Sequence, residues 1–170
     1  MDVVIEALLV SAIHAYEGRP ADGPRPDPVP VLRERVEVRA GLGLVGDRYF
    51  AHPAHRRAAV TVFAAESLDP LATDLGLPGV PDAALARRNI VLRGARVDDL
   101  VGREFSLDSG EGPVRFRGHR PAQPCRWMDV VIGPGAWKAL RGRGGVRCEP
   151  VDDGWLRLGP ATLQVLGPSP

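Results

Sequence analysis

Apolar and polar positions alternate in short stretches that glycine and proline repeatedly interrupt. Val3 to Ala12 is apolar enough for a buried strand. In Val31 to Arg39, the charged Arg33, Arg35, Glu37 and Arg39 fall on one face, and Val36 and Val38 fall between them. That is the period of a half-buried strand. Ala58 to Phe63, Asn89 to Leu92, Arg103 to Leu107, Val114 to Arg117, Val146 to Val151, Trp155 to Leu158 and Thr162 to Leu166 complete a set of about nine short strands. Gly110-Glu111-Gly112 predicts a hairpin, and Asp152-Asp153-Gly154 another turn.

Three short helices are predicted. Asp69 is placed as an N-cap before Pro70, and Gly76 as a stop. Asp82 caps a second helix running to Arg87, and Pro134 to Arg141 forms the third. Pro121 to Asp129 carries two prolines in four residues and reads as irregular. Gly18 to Pro30, rich in Gly, Pro and Asp, reads as a surface loop. Helices this few cannot build repeated βαβ units. The expected fold is therefore mainly β with short helical insertions, a closed or nearly closed β-barrel, with residues 1–170 as one domain.

Composition narrows the function. The chain has 170 residues, 44% of them hydrophobic, with 22 Lys+Arg against 21 Asp+Glu. A net charge of +1 gives no general basic excess for nucleic acid or a membrane surface. No apolar run is long enough to span a bilayer, and the first residues lack the basic start of a signal peptide, so a cytoplasmic location is expected. Two cysteines, Cys125 and Cys148, are too few for a disulfide scaffold. Lys138 is the sole lysine, so an arginine here carries little weight for its type alone.

Cys125 carries the most chemical information. It lies in His119-Arg120-Pro121-Ala122-Gln123-Pro124-Cys125-Arg126-Trp127, where prolines stiffen the loop and arginines flank the thiol. Positive neighbours favour the thiolate, the form that binds a soft metal or carries a sulfane sulfur. The plainer alternative is a small buried hydrophobe. Cys148, inside a strand, reads as structural. His52 and His55 are separated by Pro53 and do not make half of a zinc site. His14 and His119 read as structural. Gly41 to Arg48, Gly144 to Arg147 and Arg87-Arg88-Asn89 place arginines beside turns or strand ends, an arrangement suited to an oxyanion. None is a P-loop, and no Gly-x-Ser-x-Gly elbow is present.

Taken in order, Val3 to Ser11, Gly46-Asp47-Arg48, Val60 through Glu66 and Leu68, Arg87-Arg88-Asn89-Ile90-Val91, Leu100 to Phe105, Pro124-Cys125 and Gly142 to Gly145 resemble the MOSC domain family, over nearly the whole chain. Two departures are Gly159-Pro160, where members often have Gly-Asp, and the long Gly18 to Pro30 loop. The resemblance implies a β-barrel and assigns Cys125 as the residue that ligates molybdenum or carries a persulfide. It implies a molybdopterin cofactor held by Asp47, Arg48, Arg88, Asn89 and Arg120, whose guanidinium groups suit an anionic ligand. Pyridoxal phosphate is associated with the family but not expected in this chain, since a Schiff base needs a lysine and only Lys138 is available.

Three functions follow as alternatives. The first is molybdenum-dependent reduction of N-hydroxylated small molecules with a separate redox partner. The second is a sulfur carrier that takes sulfur from a separate donor onto Cys125. The third is a non-catalytic cofactor-binding module. The sequence leaves the oligomeric state open.

Overall fold

The computed structural model describes residues 1–168. Ten strands are present among them: β1 (Asp2–Leu8), β2 (Arg35–Arg39), β3 (Gly43–Leu44), β4 (Val60–Ala64), β5 (Ile90–Arg93), β6 (Arg103–Asp108), β7 (Val114–Pro121), β8 (Val146–Pro150), β9 (Gly154–Arg157) and β10 (Gly159–Pro168). Seven of them close a barrel in the order β1-β10-β6-β7-β8-β4-β5, with β5 returning to β1. All neighbours in the barrel are antiparallel except β4 and β5. A small sheet, β3-β2-β9, lies beside it. The two-residue β3 is too short to leave a periodic signal in sequence.

The parallel pair explains where the second core sits. Parallel strands are covered on both faces, and every residue of β4 is buried. Val60, Val62, Ile90 and Leu92 join Ile5, Phe105 and Phe116 inside the barrel. Phe63 and Val91 point outward into a separate apolar cluster with Leu71, Trp127, Met128 and Leu140. Burying each large side chain of this kind is worth about 1.5–3 kcal/mol. The cluster therefore holds three short helices, α1 (Leu71–Asp74), α2 (Trp127–Val131) and α3 (Ala136–Ala139), against the outer face of the barrel.

Local expectations are met with three corrections. Asp82 caps its turn, accepting from Ala84 N at 2.8 Å, but Ala83–Ala86 is a 3-10 turn. Pro70, not Asp69, is the residue at the N-cap of α1. The Asp69 carboxylate instead takes two bonds from Arg93, at 2.8 and 3.1 Å. The third correction is α2, which begins inside the segment read as irregular. Pro121 and Pro124 both precede its first turn, where neither can break it. The Gly18–Pro30 segment is mostly exposed, as expected, yet its Asp27 reaches inward to Arg87.

Candidate functional site

Cys125 stands on the loop between β7 and α2, and that loop is pinned by backbone. Ala122 N donates to Gly145 O at 2.8 Å. A Cβ on Gly144 would lie 1.9 Å from Ala122 O, and one on Gly145 would lie 2.1 Å from Val62 O. Only glycine lets the 144–145 turn pass this close to both the loop and β4. Gly145 N also donates to Asp98 Oδ1 at 2.9 Å. From the other side, Arg88 Nη2 donates to Ala122 O and Gln123 O, each at 3.2 Å. Pro124 is buried and Cys125 is exposed. The loop thus offers its thiol on a rigid support.

A cavity of about 170 Å³ opens beside it, walled by His14, Tyr16, Arg48, Tyr49, Arg88 and Arg147 together with Cys125. Its arginines are short of partners. Arg48 Nε and Nη1 and Arg88 Nε are buried and make no hydrogen bond. Arg48 Nη1 lies 3.7 Å from Asp47 Oδ2, an electrostatic contact only. A buried donor left unmade costs about 1–3 kcal/mol, a cost that an anion held by these groups would remove. Burial, then the neighbouring Arg147 charge, pushes Arg88 down to about 10, which still leaves it cationic at neutral pH. Arg147 is lowered in the same sense, by burial first.

The other walls are built differently. Arg87 is held by Asp27 at 2.7 and 3.0 Å and by Ser11 Oγ at 2.6 Å, with its backbone left-handed at φ 51°. Tyr16 stacks on Trp127 with centroids 5.4 Å apart and donates to Leu85 O at 2.6 Å. Burial raises its phenol to about 12. Tyr49 Oη lies 2.8 Å from His14 Nε2. Burial, followed by the Arg48 charge, lowers His14 below its ordinary value, so the ring is neutral at pH 7.

Of the residues singled out in sequence, Cys125, Arg48, Arg87, Arg88 and Arg147 meet at this cavity. Asp47 and Asn89 do not line it; both are buried beneath it. Asp47 accepts from Ser11 N (3.3 Å), Tyr49 N (3.0 Å) and Asn89 Nδ2 (3.1 Å) and so orients the Arg48–Tyr49 turn. Arg120 lines a neighbouring cleft of about 620 Å³ with Arg56, Arg57 and His119. His14, Tyr16 and Tyr49 join the cavity without a motif to mark them, whereas Arg147 follows the Gly144-Gly145 turn already singled out in sequence. Cys148 is fully inside the barrel, where burial pushes its thiol far up. His52 and His55 pack against each other at a tilt, with ring centroids 4.7 Å apart, and no group of three potential metal ligands occurs among the described residues. Lys138 is exposed on α3 and does not line the cavity. A pyridoxal phosphate group therefore finds no lysine there.

A larger cleft of about 450 Å³ lies near Glu66, Asp98 and Arg143. It holds no cysteine or histidine, and its carboxylates are already engaged, Glu66 with Gly94 N, Asp98 with Gly145 N and Asp99 with Arg96 Nε. The chemistry favours the smaller cavity. No helix among the described residues is long and apolar enough to cross a membrane.

The fold has solved relatives. YuaD from Bacillus subtilis superposes with a TM-score of 0.71 at 16% identity, covering 99% of this chain and 98% of that one. YiiM from Escherichia coli gives 0.63 at 14% identity, over 99% of this chain and 71% of that one. YiiM from Geobacillus stearothermophilus gives 0.53 at 20%, over 64% and 54%. At these identities the likeness is one of fold. None of the curated proteins matches the sequence. The sequence profile of the MOSC domain matches residues 47–162, a span from the Arg48 turn to β10 that includes Arg88, Cys125 and Arg147, and the chain belongs to the MOSC domain family.

Proposed function

We propose that this chain binds a molybdenum–pterin cofactor at the Cys125 cavity and reduces N-hydroxylated small molecules with electrons from a separate donor. The observation that carries the reading is the set of buried, unpartnered guanidinium N–H groups of Arg48 and Arg88 beside an exposed thiol. The residues fit the group. Cys125 offers a soft sulfur ligand for the metal, and the arginines offer charge and planar donors for anionic sulfur and phosphate. When bound, such a cofactor supplies two-electron redox chemistry.

The chain's own residues do the rest. Arg48, Arg88 and Arg147 hold anionic oxygens, and Arg88 also fixes the Cys125 loop through Ala122 and Gln123. The Tyr49–His14 pair holds a proton at the cavity wall. Conversion of R–NHOH to R–NH₂ and water consumes two electrons and two protons. The electrons come from the external partner and the protons from solvent by way of such a pair.

A second reading, a sulfur carrier using a Cys125 persulfide, is favoured by the exposure of the thiol and by the small volume of the cavity. Elemental analysis separates the two. Protein made in a host with proven cofactor supply is expected to carry near-stoichiometric molybdenum, and Cys125→Ser to lose it. Molybdenum in neither sample overturns the proposal, and persulfide on Cys125 would then support the carrier. Molybdenum retained in Cys125→Ser would instead indicate a binding module that does not use the thiol.

A further inference from the structure

Charge is spread unevenly along this chain. Between Glu111 and Glu149 stand eight basic residues and a single acidic one, Asp129, although the whole chain has a net charge of +1. Within that stretch Arg126, Lys138 and Arg141 are exposed and make no ion pair among the described residues. Elsewhere on the surface Arg25, Arg35, Arg39, Arg93 and Arg115 are all paired with carboxylates. The nearby Asp129 is engaged with the backbone, its Oδ1 accepting from Trp137 N at 2.8 Å.

Two of these charges gather on one ring. The guanidinium carbon of Arg126 lies 4.8 Å from the Trp137 ring centroid, and that of Arg141 lies 4.6 Å from it. Each contact is attractive, but two cations over one indole repel each other, and an anionic group brought to them would relieve the repulsion. Arg126 directly follows Cys125 in the chain, so the Trp137 ring stands beside the thiol loop. Val130, next to Asp129 on α2, adds an apolar side chain that is 46% exposed. Tryptophan and arginine around a small apolar area are the residue types that anchor protein partners.

We propose that this surface docks an acidic electron-carrier protein, with Trp137 at its centre and Arg126, Lys138 and Arg141 around it. The inference rests on the functional reading above, in which a separate donor supplies the electrons. A carrier seated on Trp137 presents its reduced flavin or iron–sulfur cluster to the loop that holds Cys125. Two encounters, each oxidising one reduced carrier by one electron, supply the two electrons that conversion of R–NHOH consumes, and the two protons come from solvent. Opposite charge speeds the encounter, and a small interface lets the spent carrier leave.

The test is calorimetric titration of the purified protein, at low salt, with two acidic carriers, a flavodoxin and a plant-type ferredoxin. One site per chain is expected for at least one of them, weakening about tenfold or more as salt is raised to physiological strength. Lys138→Glu with Arg141→Glu, and separately Trp137→Leu, are each expected to weaken it about tenfold or more. Arg103→Glu with Arg157→Glu, two exposed arginines on β6 and β9, makes the same change in net charge and is expected to leave binding nearly unchanged. Binding of neither carrier, an equal loss in the Arg103/Arg157 variant, or full binding by the Lys138/Arg141 variant would overturn the proposal. So would tighter binding of a single-stranded oligonucleotide, lost in the same variants, since stacked bases and phosphates would then be what the surface holds.

Reduction of an N-hydroxylated substrate with dithionite, which needs no docked protein, reports separately on the functional reading. Equal rates with dithionite in wild type and the Lys138/Arg141 variant, with a higher KM for the reduced carrier in the variant alone, support the surface. No reduction by dithionite in molybdenum-loaded wild type overturns the functional reading, and the titration then decides the surface by itself.

Discussion

Asn89 Nδ2 donates to Asp47 Oδ2 at 3.1 Å, joining the start of β5 to the turn that carries Arg48. The same amide donates to Leu9 O at 3.1 Å, while Asn89 Oδ1 accepts from Thr61 N and Thr61 Oγ1, both at 2.9 Å. One buried side chain thus ties β4, β5, the end of β1 and the arginine turn together. Asn89→Ala leaves these groups unpaired in the interior. It is expected to destabilise the protein by about 2–4 kcal/mol, read as a lower urea midpoint with an unchanged slope.

The two cysteines are expected to separate by reactivity. Native protein should react with one equivalent of a thiol reagent, at Cys125, which is exposed. Cys148 is buried in the barrel with its thiol raised by desolvation, and should react only on unfolding. Cys125→Ser should abolish the native reaction; a fast reaction surviving in that variant would contradict the structure.

The ion pair between Asp27 and Arg87 sets a pH dependence. Bonding to Arg87, aided by Ser11, lowers the Asp27 carboxyl below its ordinary 3.8. A carboxyl lowered in the fold contributes stability that is present above its unfolded value and lost as pH falls through the folded one. The difference in stability between wild type and Asp27→Asn should therefore be constant above pH 3.8 and shrink below it. Limited proteolysis within Gly18–Pro30 should accelerate over the same acid window in the wild type, and already at neutral pH in the variant.

Gly144→Ala tests the support under the thiol. The new methyl would sit 1.9 Å from Ala122 O, so either the turn or the loop must shift. A loss of about 3 kcal/mol or more is expected in thermal unfolding. The rate of Cys125 modification should change too, because Ala122 begins the loop that holds it.

The barrel class was legible because alternation within β2 and apolar runs such as Val60–Phe63 survive as local patterns. The α2 helix was hidden by Pro121 and Pro124, which mark where a helix cannot continue but are silent on what begins after them. The Arg120–Arg147 pairing was also hidden, because register between β7 and β8 depends on a bulge between Gly118 and Arg120 that no local pattern announces. His14, Tyr16 and Tyr49 reach the cavity through tertiary contacts alone. A motif-based reading gathers residues by type, whereas the folded chain uses Asp47 and Asn89 as struts beneath the arginines.

Barrel closure orders events in time. Asp2 of the first strand lies opposite Thr162 of the last, and the Met1 amino group bonds Leu163 O at 2.8 Å. β10 also completes β6. Arg48, Arg88, Cys125 and Arg147 all leave the ribosome before β10 does, so the strands around them emerge with the edges of β1 and β6 still open. Pairing across such a sequence separation makes closure a late and slow step. Until then the nascent chain exposes sticky edges that invite association with other chains. A ligand that requires the finished cavity walls can be loaded only once synthesis of the barrel is over.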